Sequence, residues 1–254
     1  MRRLLGFSTG ALAFGAYDRG LAEVRLHTPE AVELSALRQP ELEPLVNAID
    51  NLDLSGFRYI AFHAPSAIET GAERLVVEML LRVAERNWPI IVHPDTIGDY
   101  SLWNQLGRAL CVENMDKRKP IGRTVAELES LFELLPKAGL CFDIGHARQI
   151  DSTMTEAYFI LRTFHAELRQ VHVSEVNTRS KHDALSYASI LAFRRVADLI
   201  PNDVPLIIES VVEESRIEVE LERVREAFPV QVHVNPQAAA GGNRVNEWLL
   251  HQAT

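Results

Sequence analysis

Apolar and β-branched residues occur in eight short runs that polar segments separate, and runs of this length are typical of buried strands. Most successive runs start about 20 to 35 residues apart, which is the length of a strand–helix unit. The runs are LLGFS (4–8), AVELS (31–35), YIAFH (59–63), PIIVH (89–93), ALCVE (109–113), LCFD (140–143), QVHVS (170–174) and PLIIE (205–209).

The segments between these runs carry apolar residues at helical spacing. The predicted buried stripe of 71–86 is Leu75, Val76, Met79, Leu80 and Val83, and that of 124–135 is Val125, Leu128, Leu131, Phe132 and Leu135. Capping boxes of the form Ser/Thr-x-x-Glu predict four helix starts. They are Thr70/Glu73, Thr124/Glu127, Thr153/Glu156 and Ser215/Glu218.

Short apolar strands that alternate with helices predict a parallel sheet whose outer face is covered by helices. Eight such units in about 220 residues predict an α/β fold with a single parallel eight-stranded (β/α)8 TIM barrel, and we assign residues 1–254 to one domain. The alternative is an open doubly wound sheet, but no Gly-x-Gly-x-x-Gly motif or phosphate-binding loop supports it. The segment VQVHV (230–234) and the later NEWLL predict a short C-terminal accessory segment that closes the bottom or side of the barrel.

Composition narrows the classes of function. A net charge of −9 and a pI of about 5.5 over 254 residues give no general basic surface for nucleic acid or anionic membranes. No apolar run approaches the roughly 20 residues that span a bilayer, and Ser8, Thr9 and two glycines interrupt an N-terminus that superficially resembles a signal peptide. Cys111 and Cys141 lie inside apolar runs, so we expect reduced thiols and a cytoplasmic location.

Side chains that bind metals stand at the C-terminal ends of six consecutive predicted strands, the third to the eighth. In a TIM barrel these ends form the face that carries the chemistry. Inward positions alternate along a strand, so Glu113 should point inward with Cys111, while Leu110 and Val112 should face the helices. Carboxylates buried there need a counter-charge, which a divalent cation supplies. The predicted metal ligands are His63, His93, Glu113, Asp143, His172 and Glu209, with His146 and His182 from the loops after strands six and seven.

These residues resemble the xylose-isomerase-like TIM-barrel superfamily, which contains sugar and sugar-phosphate isomerases and epimerases as well as apurinic-site endonucleases. The resemblance covers strands three to eight and rests on the order and spacing of HAP (63–65), VHP (92–94), VENMD (112–116), FDIGHA (142–147), HVSE (172–175) and IIES (207–210). In the isomerase branch it implies that Glu113, Asp143, His172 and Glu209 hold one divalent ion. Glu113 and Glu209 would then transfer protons beside a metal-bound carbonyl, and His146 would face a substrate oxygen or a second metal.

In the endonuclease branch the resemblance implies two or three zinc ions and hydrolysis of a phosphodiester. His63 and His93 would join Glu113 around one ion, Glu113 would bridge to a second, and the two loop histidines would serve a third. The pair His63 and His93 favours this branch, because an isomerase with one ion does not need both. Two departures count against it: Ser180 replaces an aspartate expected two residues before the last loop histidine, and ALSYAS (184–189) replaces a Gly-rich loop.

The sequence therefore favours a divalent-metal-dependent sugar or sugar-phosphate isomerase or epimerase, with a multinuclear zinc phosphodiesterase as the alternative. The expected metal is Zn or Mn, and such ligands also accept Mg or Co. The expected partner is a small carbohydrate-like molecule, with nucleic acid only under the alternative, no membrane partner, and homo-oligomerisation left open. Arg179, Lys117 and Arg118 are predicted to bind a phosphate or carboxylate end of the substrate, unless they only belong to solvated loops.

Overall fold

Eight parallel strands form a closed barrel in the computed structural model, which describes residues 3–27 and 30–230. All eight predicted strands are present, and the predicted (β/α)8 fold is confirmed. The strands are β1 (Leu5–Ser8), β2 (Ala31–Ser35), β3 (Tyr59–His63), β4 (Ile90–Val92), β5 (Leu110–Glu113), β6 (Gly139–Asp143), β7 (Leu168–Val173) and β8 (Leu206–Ile208).

Helices follow the strands and cover the outside of the barrel. The α-helices are α1 (Thr9–Ala13), α2 (Tyr17–Leu26), α3 (Gln39–Ala48), α4 (Glu73–Ala84), α5 (Tyr100–Trp103), α6 (Val125–Leu134), α7 (Ile144–Ile150), α8 (Thr155–Thr163), α9 (Tyr187–Arg194) and α10 (Ile217–Ala227). A small antiparallel pair, Glu175–Val176 with His182–Asp183, lies in the loop after β7.

Neighbours in the chain are neighbours in the barrel, and β1 closes the ring between β2 and β8. In this seam Gly6 pairs with Ala31 on one side and with Ile207 on the other. A Cβ atom at position 6 would lie 2.1 Å from the carbonyl oxygen of Ala31. Glycine is therefore required where the first strand approaches the second.

Side chains alternate between the helices and the barrel interior, as parallel strands require. Leu110 and Val112 belong to the large core between sheet and helices, as predicted. Cys111 and Cys141 lie in a separate small cluster with Ala61 and Ile91, so the predicted inward orientation of Cys111 is also confirmed. Both cysteines are free and buried.

The two helices with the clearest periodicity are present, with one difference in the buried stripe. In α4 the sequence analysis placed Leu75 in the core, but its side chain is 56% exposed. Val77 is buried instead. Leu75 and Val77 lie on opposite sides of the buried Val76 in the helix, so in a run of three apolar residues only the packing decides which of the two faces the sheet.

Of the four predicted capping boxes, only the one at Thr124 caps its helix. The Thr124 hydroxyl accepts from the backbone N–H of Glu127 at 3.3 Å. At α4 the N-cap is Ala72, because Glu73 instead accepts from the backbone N–H groups of Gly98 and Asp99. The boxes predicted at Thr153 and Ser215 are also wrong, since α8 and α10 begin later in the chain.

The predicted accessory segment from residue 231 onward lies outside the described residues, so that prediction and the single domain over 1–254 stay predictions. Among the residues that are described, no helix is both long and apolar enough to cross a membrane.

Candidate metal centre and active-site cavity

A cavity of about 830 Å³ opens at the C-terminal ends of the barrel strands. His63 and Glu113 end their strands, while His93 and Glu209 directly follow theirs. All four line the cavity, together with His146 and His182 from the loops. The cavity therefore lies on the face that the sequence analysis predicted for the chemistry.

The barrel brings all eight predicted metal ligands together. They form three groups in which the ligand atoms lie within 4.8 Å of one another. The groups overlap, because Glu113 and Asp143 each belong to two of them. The groups are His63, His93 and Glu113; Glu113, Asp143, His172 and Glu209; and Asp143, His146 and His182.

Glu113 directs its two carboxylate oxygens toward different groups. Oε2 lies 3.2 Å from His93 Nε2 and 3.4 Å from His63 Nε2. Oε1 lies 3.3 Å from His172 Nδ1 and 3.4 Å from His146 Nδ1. This arrangement is that of a carboxylate able to bridge two cations.

Asp143 both ends β6 and caps the helix that follows it. Its Oδ1 accepts from the backbone N–H of His146 at 2.7 Å, which fixes the first turn of α7. The cap needs only the backbone N–H of the residue three positions later, and this spacing places the side chain of His146 beside the capping aspartate. His146 Nδ1 then lies 3.5 Å from the other oxygen, Oδ2.

The third group is completed by a carboxylate that the sequence analysis did not assign to it. Ser180, which replaces the expected aspartate, has φ 54° and exchanges hydrogen bonds with Gln149. Asp143 supplies the carboxylate instead and lies with His146 and His182. The objection that this group lacks a third ligand is therefore removed, because the barrel brings β6 beside the loop after β7.

Several of the histidines have one ring nitrogen engaged away from the other ligands. His63 Nδ1 lies 2.7 Å from the carbonyl oxygen of Ala64, so its Nε2 is left to face Glu113. His182 Nδ1 lies 2.8 Å from the hydroxyl of Ser174. Hydrogen bonds of this kind select the tautomer and orient the ring of a metal-binding histidine.

Burial shifts the pKa of several predicted ligands away from the ordinary value. Burial raises the pKa of Asp143 to about 7 and that of Glu209 to about 8. Burial lowers the pKa of His182 to about 4, so its imidazole is neutral at pH 7. For His63 burial acts in the same direction, but the interaction with Glu113 and the negative charges of Glu33 and Glu209 together outweigh burial, and the pKa rises to about 9.

Unsatisfied ligand atoms show that a metal fits these residues. Glu113 Oε2, Asp143 Oδ2 and His93 Nδ1 are buried and have no hydrogen-bond partner within the described part of the chain. Buried polar atoms are normally paired, and a cation is one partner that would pair the two carboxylate oxygens. Histidine nitrogen and carboxylate oxygen together are ligands that several divalent metals accept.

Cationic side chains line one part of the cavity wall. They come from Arg118, Lys119 and Lys181. Arg118 is paired with the buried Asp116 and Lys119 with Asp95, while Lys181 is exposed. Of the residues predicted to bind the substrate, the structure places Arg118 in the wall.

Lys117 and Arg179, the other two residues predicted to bind the substrate, are exposed. Neither is among the described residues that line this cavity. The loops that carry them turn their side chains toward solvent, so the geometry does not bring them to the predicted ligands.

Two further buried polar residues touch the predicted ligands and were missed. Asn114 forms two hydrogen bonds with the backbone of Asp143. Glu33 lies in the barrel interior with Oε2 at 2.9 Å from His172 Nε2. A charged residue in the middle of the apolar run AVELS was the available signal for Glu33, because a buried glutamate needs a partner.

Neither a scan against protein-family models nor a search of curated proteins found a match. Solved structures do share the fold. Endonuclease IV from Thermus thermophilus is 20% identical, with a TM-score of 0.54 over 87% of this chain and 96% of that one. A xylose isomerase-like TIM barrel protein from Mycobacterium smegmatis, in complex with magnesium, is 11% identical, with a TM-score of 0.55 over 89% and 98%. AsfvAP, in the structure of AsfvAP:AG, is also 11% identical, with a TM-score of 0.58 over 89% and 99%. The resemblance to the xylose-isomerase-like barrels is thus confirmed for the fold.

Proposed function

We propose that the protein is a multinuclear divalent-metal hydrolase that cleaves a phosphate ester of a small, carbohydrate-like substrate. One observation carries this proposal: the two oxygens of Glu113 face separate groups of histidines, at 3.2 to 3.4 Å. An isomerase with a single ion leaves His63 and His93 without a role. A site in which one carboxylate joins two cations would use both of these histidines as ligands.

Each residue group would hold one cation, and Glu113 and Asp143 would be shared. When bound, such cations activate water and stabilise the oxygens of a phosphoryl group. Lys181, at the cavity wall, would bind a phosphate oxygen through its ammonium group. Glu209 Oε2 lies 3.6 Å from His182 Nδ1. Bound cations would keep this carboxylate ionised, and it would then accept the proton of the attacking water.

The expected substrate is small. The cavity holds about 830 Å³, which is the size of a small-molecule site. The net charge of −9 opposes binding to duplex DNA, and the segment ALSYAS stands where the endonuclease pattern has a Gly-rich loop. These features support a phosphorylated small molecule over a nucleic acid.

The isomerase or epimerase that the sequence favoured is the second proposal, and a separate observation supports it. Glu113 Oε1 and Glu209 Oε2 both lie 3.3 Å from His172 Nδ1. Together with Asp143 they form a group of four ligands that does not need the other histidines. Two carboxylates beside one cation could remove and return a proton next to a carbonyl.

Metal content of the His93→Ala variant separates the two proposals. Protein purified without chelators or a metal column would be measured by elemental analysis, with His165→Ala as the control because His165 is exposed and off the barrel mouth. A hydrolase should hold about two or three ions per chain, lose at least one in His93→Ala, and lose activity on p-nitrophenyl phosphate esters.

The outcome that contradicts the hydrolase is equally clear. One ion per chain in both the wild type and His93→Ala, with proton exchange between ketoses and solvent, would leave the isomerase. A chain that takes up no metal after reconstitution would reject both proposals.

A further inference from the structure

The barrel interior beneath the predicted ligands contains a glutamate that neither proposed reaction uses. Glu33 is the middle residue of β2, and its exposed fraction is 0%. Small or apolar residues such as Ala61 and Cys111 fill part of the interior around it. A carboxylate in such surroundings is costly unless it is paired.

Glu33 is the acceptor of a buried hydrogen-bond chain that crosses the barrel from β3 to β7. The Tyr59 hydroxyl donates to Gln170 Oε1 at 2.7 Å, and Gln170 Nε2 donates to Glu33 Oε2 at 2.7 Å. His172 Nε2 lies 2.9 Å from the same oxygen. Gln170 Nε2 and His172 Nε2 are also only 2.8 Å apart, so the two nitrogens meet at one carboxylate oxygen, and Glu33 is the acceptor that they share.

The orientation of His172 follows from this contact. Because Nε2 faces Glu33, the opposite nitrogen Nδ1 points to the cavity, where it lies 3.3 Å from both Glu113 and Glu209. Glu113 and Glu209 belong with His172 to the four-ligand group. If the ring were turned over, Nε2 would meet the cavity and the buried Glu33 would keep only the donor from Gln170.

We propose that Glu33 is a positioning residue for the metal centre. It holds the Nε2–H tautomer of His172, fixes the plane of the ring, and makes Nδ1 a stronger ligand through the negative charge behind the imidazole. This inference rests on the metal centre of the proposed function, and it concerns the four-ligand group that both proposed reactions share.

A purely structural ion pair explains Glu33 less well than a role in positioning His172. Replacing a buried ion pair with apolar residues is often neutral or stabilising, so stability alone gives little reason to keep one. Glu33 Oε1 also remains buried without a hydrogen-bond partner in the described residues. The carboxylate is therefore poorly satisfied as a structural group but well placed as a partner of His172.

The test compares Glu33→Ala and Glu33→Gln with two controls. Tyr59→Phe removes the outer hydrogen bond of the same chain without touching His172. Glu73→Gln replaces a glutamate that bonds Gly98, Asp99 and Trp103 away from the cavity. Zinc affinity would be measured by competition with a chromophoric chelator, and the Nε2–H of His172 by ¹⁵N-resolved proton NMR of the zinc-loaded protein.

Glu33→Ala should weaken binding of the tightest zinc ion by about tenfold to a hundredfold and abolish the slowly exchanging His172 Nε2–H signal. Glu33→Gln keeps an oxygen acceptor but no charge, so it should retain that signal and lose less affinity. Both controls should stay within about twofold of the wild-type affinity. If Glu33→Ala does not fold, Glu33→Gln and the wild-type NMR signal decide the question.

Wild-type affinity and an unchanged His172 signal in both Glu33 variants would overturn the proposal, and so would a wild-type protein that binds no zinc. Failure of the hydrolase proposal looks different. A single ion that survives in His93→Ala, together with no phosphoesterase activity, would reject the hydrolase. In that case the loss of affinity in Glu33→Ala would still be measured on the remaining ion.

Discussion

Asn114 offers the sharpest test of how the barrel positions its predicted ligands. The last paired residues of β5 and β6 are Glu113 and Cys141, and beyond them the side chain of Asn114 continues the ladder. Asn114 Oδ1 accepts from the backbone N–H of Asp143 at 2.7 Å, and Nδ2 donates to the Asp143 carbonyl at 2.8 Å. Asn114→Ala removes both bonds at a site with an exposed fraction of 0%.

The magnitude follows from what the substitution leaves unpaired. A buried donor or acceptor without a partner costs about 1 to 3 kcal/mol, and Asn114→Ala leaves one of each on Asp143. Partial relaxation of the loop offsets some of this, so we expect a loss of about 3 kcal/mol in the free energy of unfolding. At about 2 to 4 °C per kcal/mol for a chain of this size, Tm should fall by roughly 6 to 12 °C.

The assay is urea and thermal unfolding of the metal-free protein, followed by elemental analysis of the reconstituted protein. Asn104→Ala is the control, because Asn104 makes one exposed hydrogen bond, from Nδ2 to the Leu134 carbonyl at 2.9 Å. This variant should change the free energy of unfolding by about 1 kcal/mol or less. Asn114→Ala should also lose metal, since Asp143 belongs to two ligand groups. Stability within about 1 kcal/mol of the wild type and full metal content would refute the reasoning.

Three other predictions follow from the packing and charge. Gly6→Ala should destabilise the barrel by about 3 kcal/mol, measured by urea unfolding, because its Cβ would lie 2.1 Å from Ala31 O. Cys111 and Cys141 should react with thiol reagents only in denaturant, because burial raises the pKa of Cys111 to about 12 and that of Cys141 well above its usual value. Rapid labelling of the native protein would disprove this. Although burial raises the pKa of Glu73, its hydrogen bonds outweigh burial and the pKa lies below the ordinary value of 4.5. The ionised Glu73 therefore contributes to folding stability above about pH 4.5, and this contribution is lost as pH falls through the folded-state pKa. The urea midpoint of Glu73→Gln should accordingly fall less between pH 6 and pH 3 than that of the wild type.

The strands, and the side chains that meet at the cavity, could be predicted because their signals are local. Each strand is an apolar run with polar flanks, and a ligand at the C-terminal end of a parallel strand faces the same rim whichever strands are neighbours. His63 and Glu209 illustrate this, since both were placed from their own strands alone. The helix starts were harder, because the Glu73 side chain bonds residues 25 and 26 positions later in the chain and not its own helix.

Glu33 and Asn114 could not be predicted because their partners are distant in sequence. Glu33 meets His172 across the barrel at a separation of 139 residues, and that contact depends on the shear that sets which strand positions share a level. Asn114 bonds a backbone 29 residues away. The third ligand of the His146 and His182 group was missed for the same reason, since only the fold shows that Asp143 reaches it.

Five polar residues inside this barrel form one connected column. Hydrogen bonds join Tyr59 through Gln170 to Glu33, and His172 continues the column to the carboxylate of Glu113 at the cavity floor. A TIM barrel interior is normally filled by layers of bulky branched side chains, which stabilise the fold without unpaired charge. Here part of that packing is exchanged for buried polar groups, several of which lack partners. Such an exchange lowers stability in the metal-free chain, and it is explained if the column exists to hold His172 and the shared carboxylates in one arrangement around positive charge.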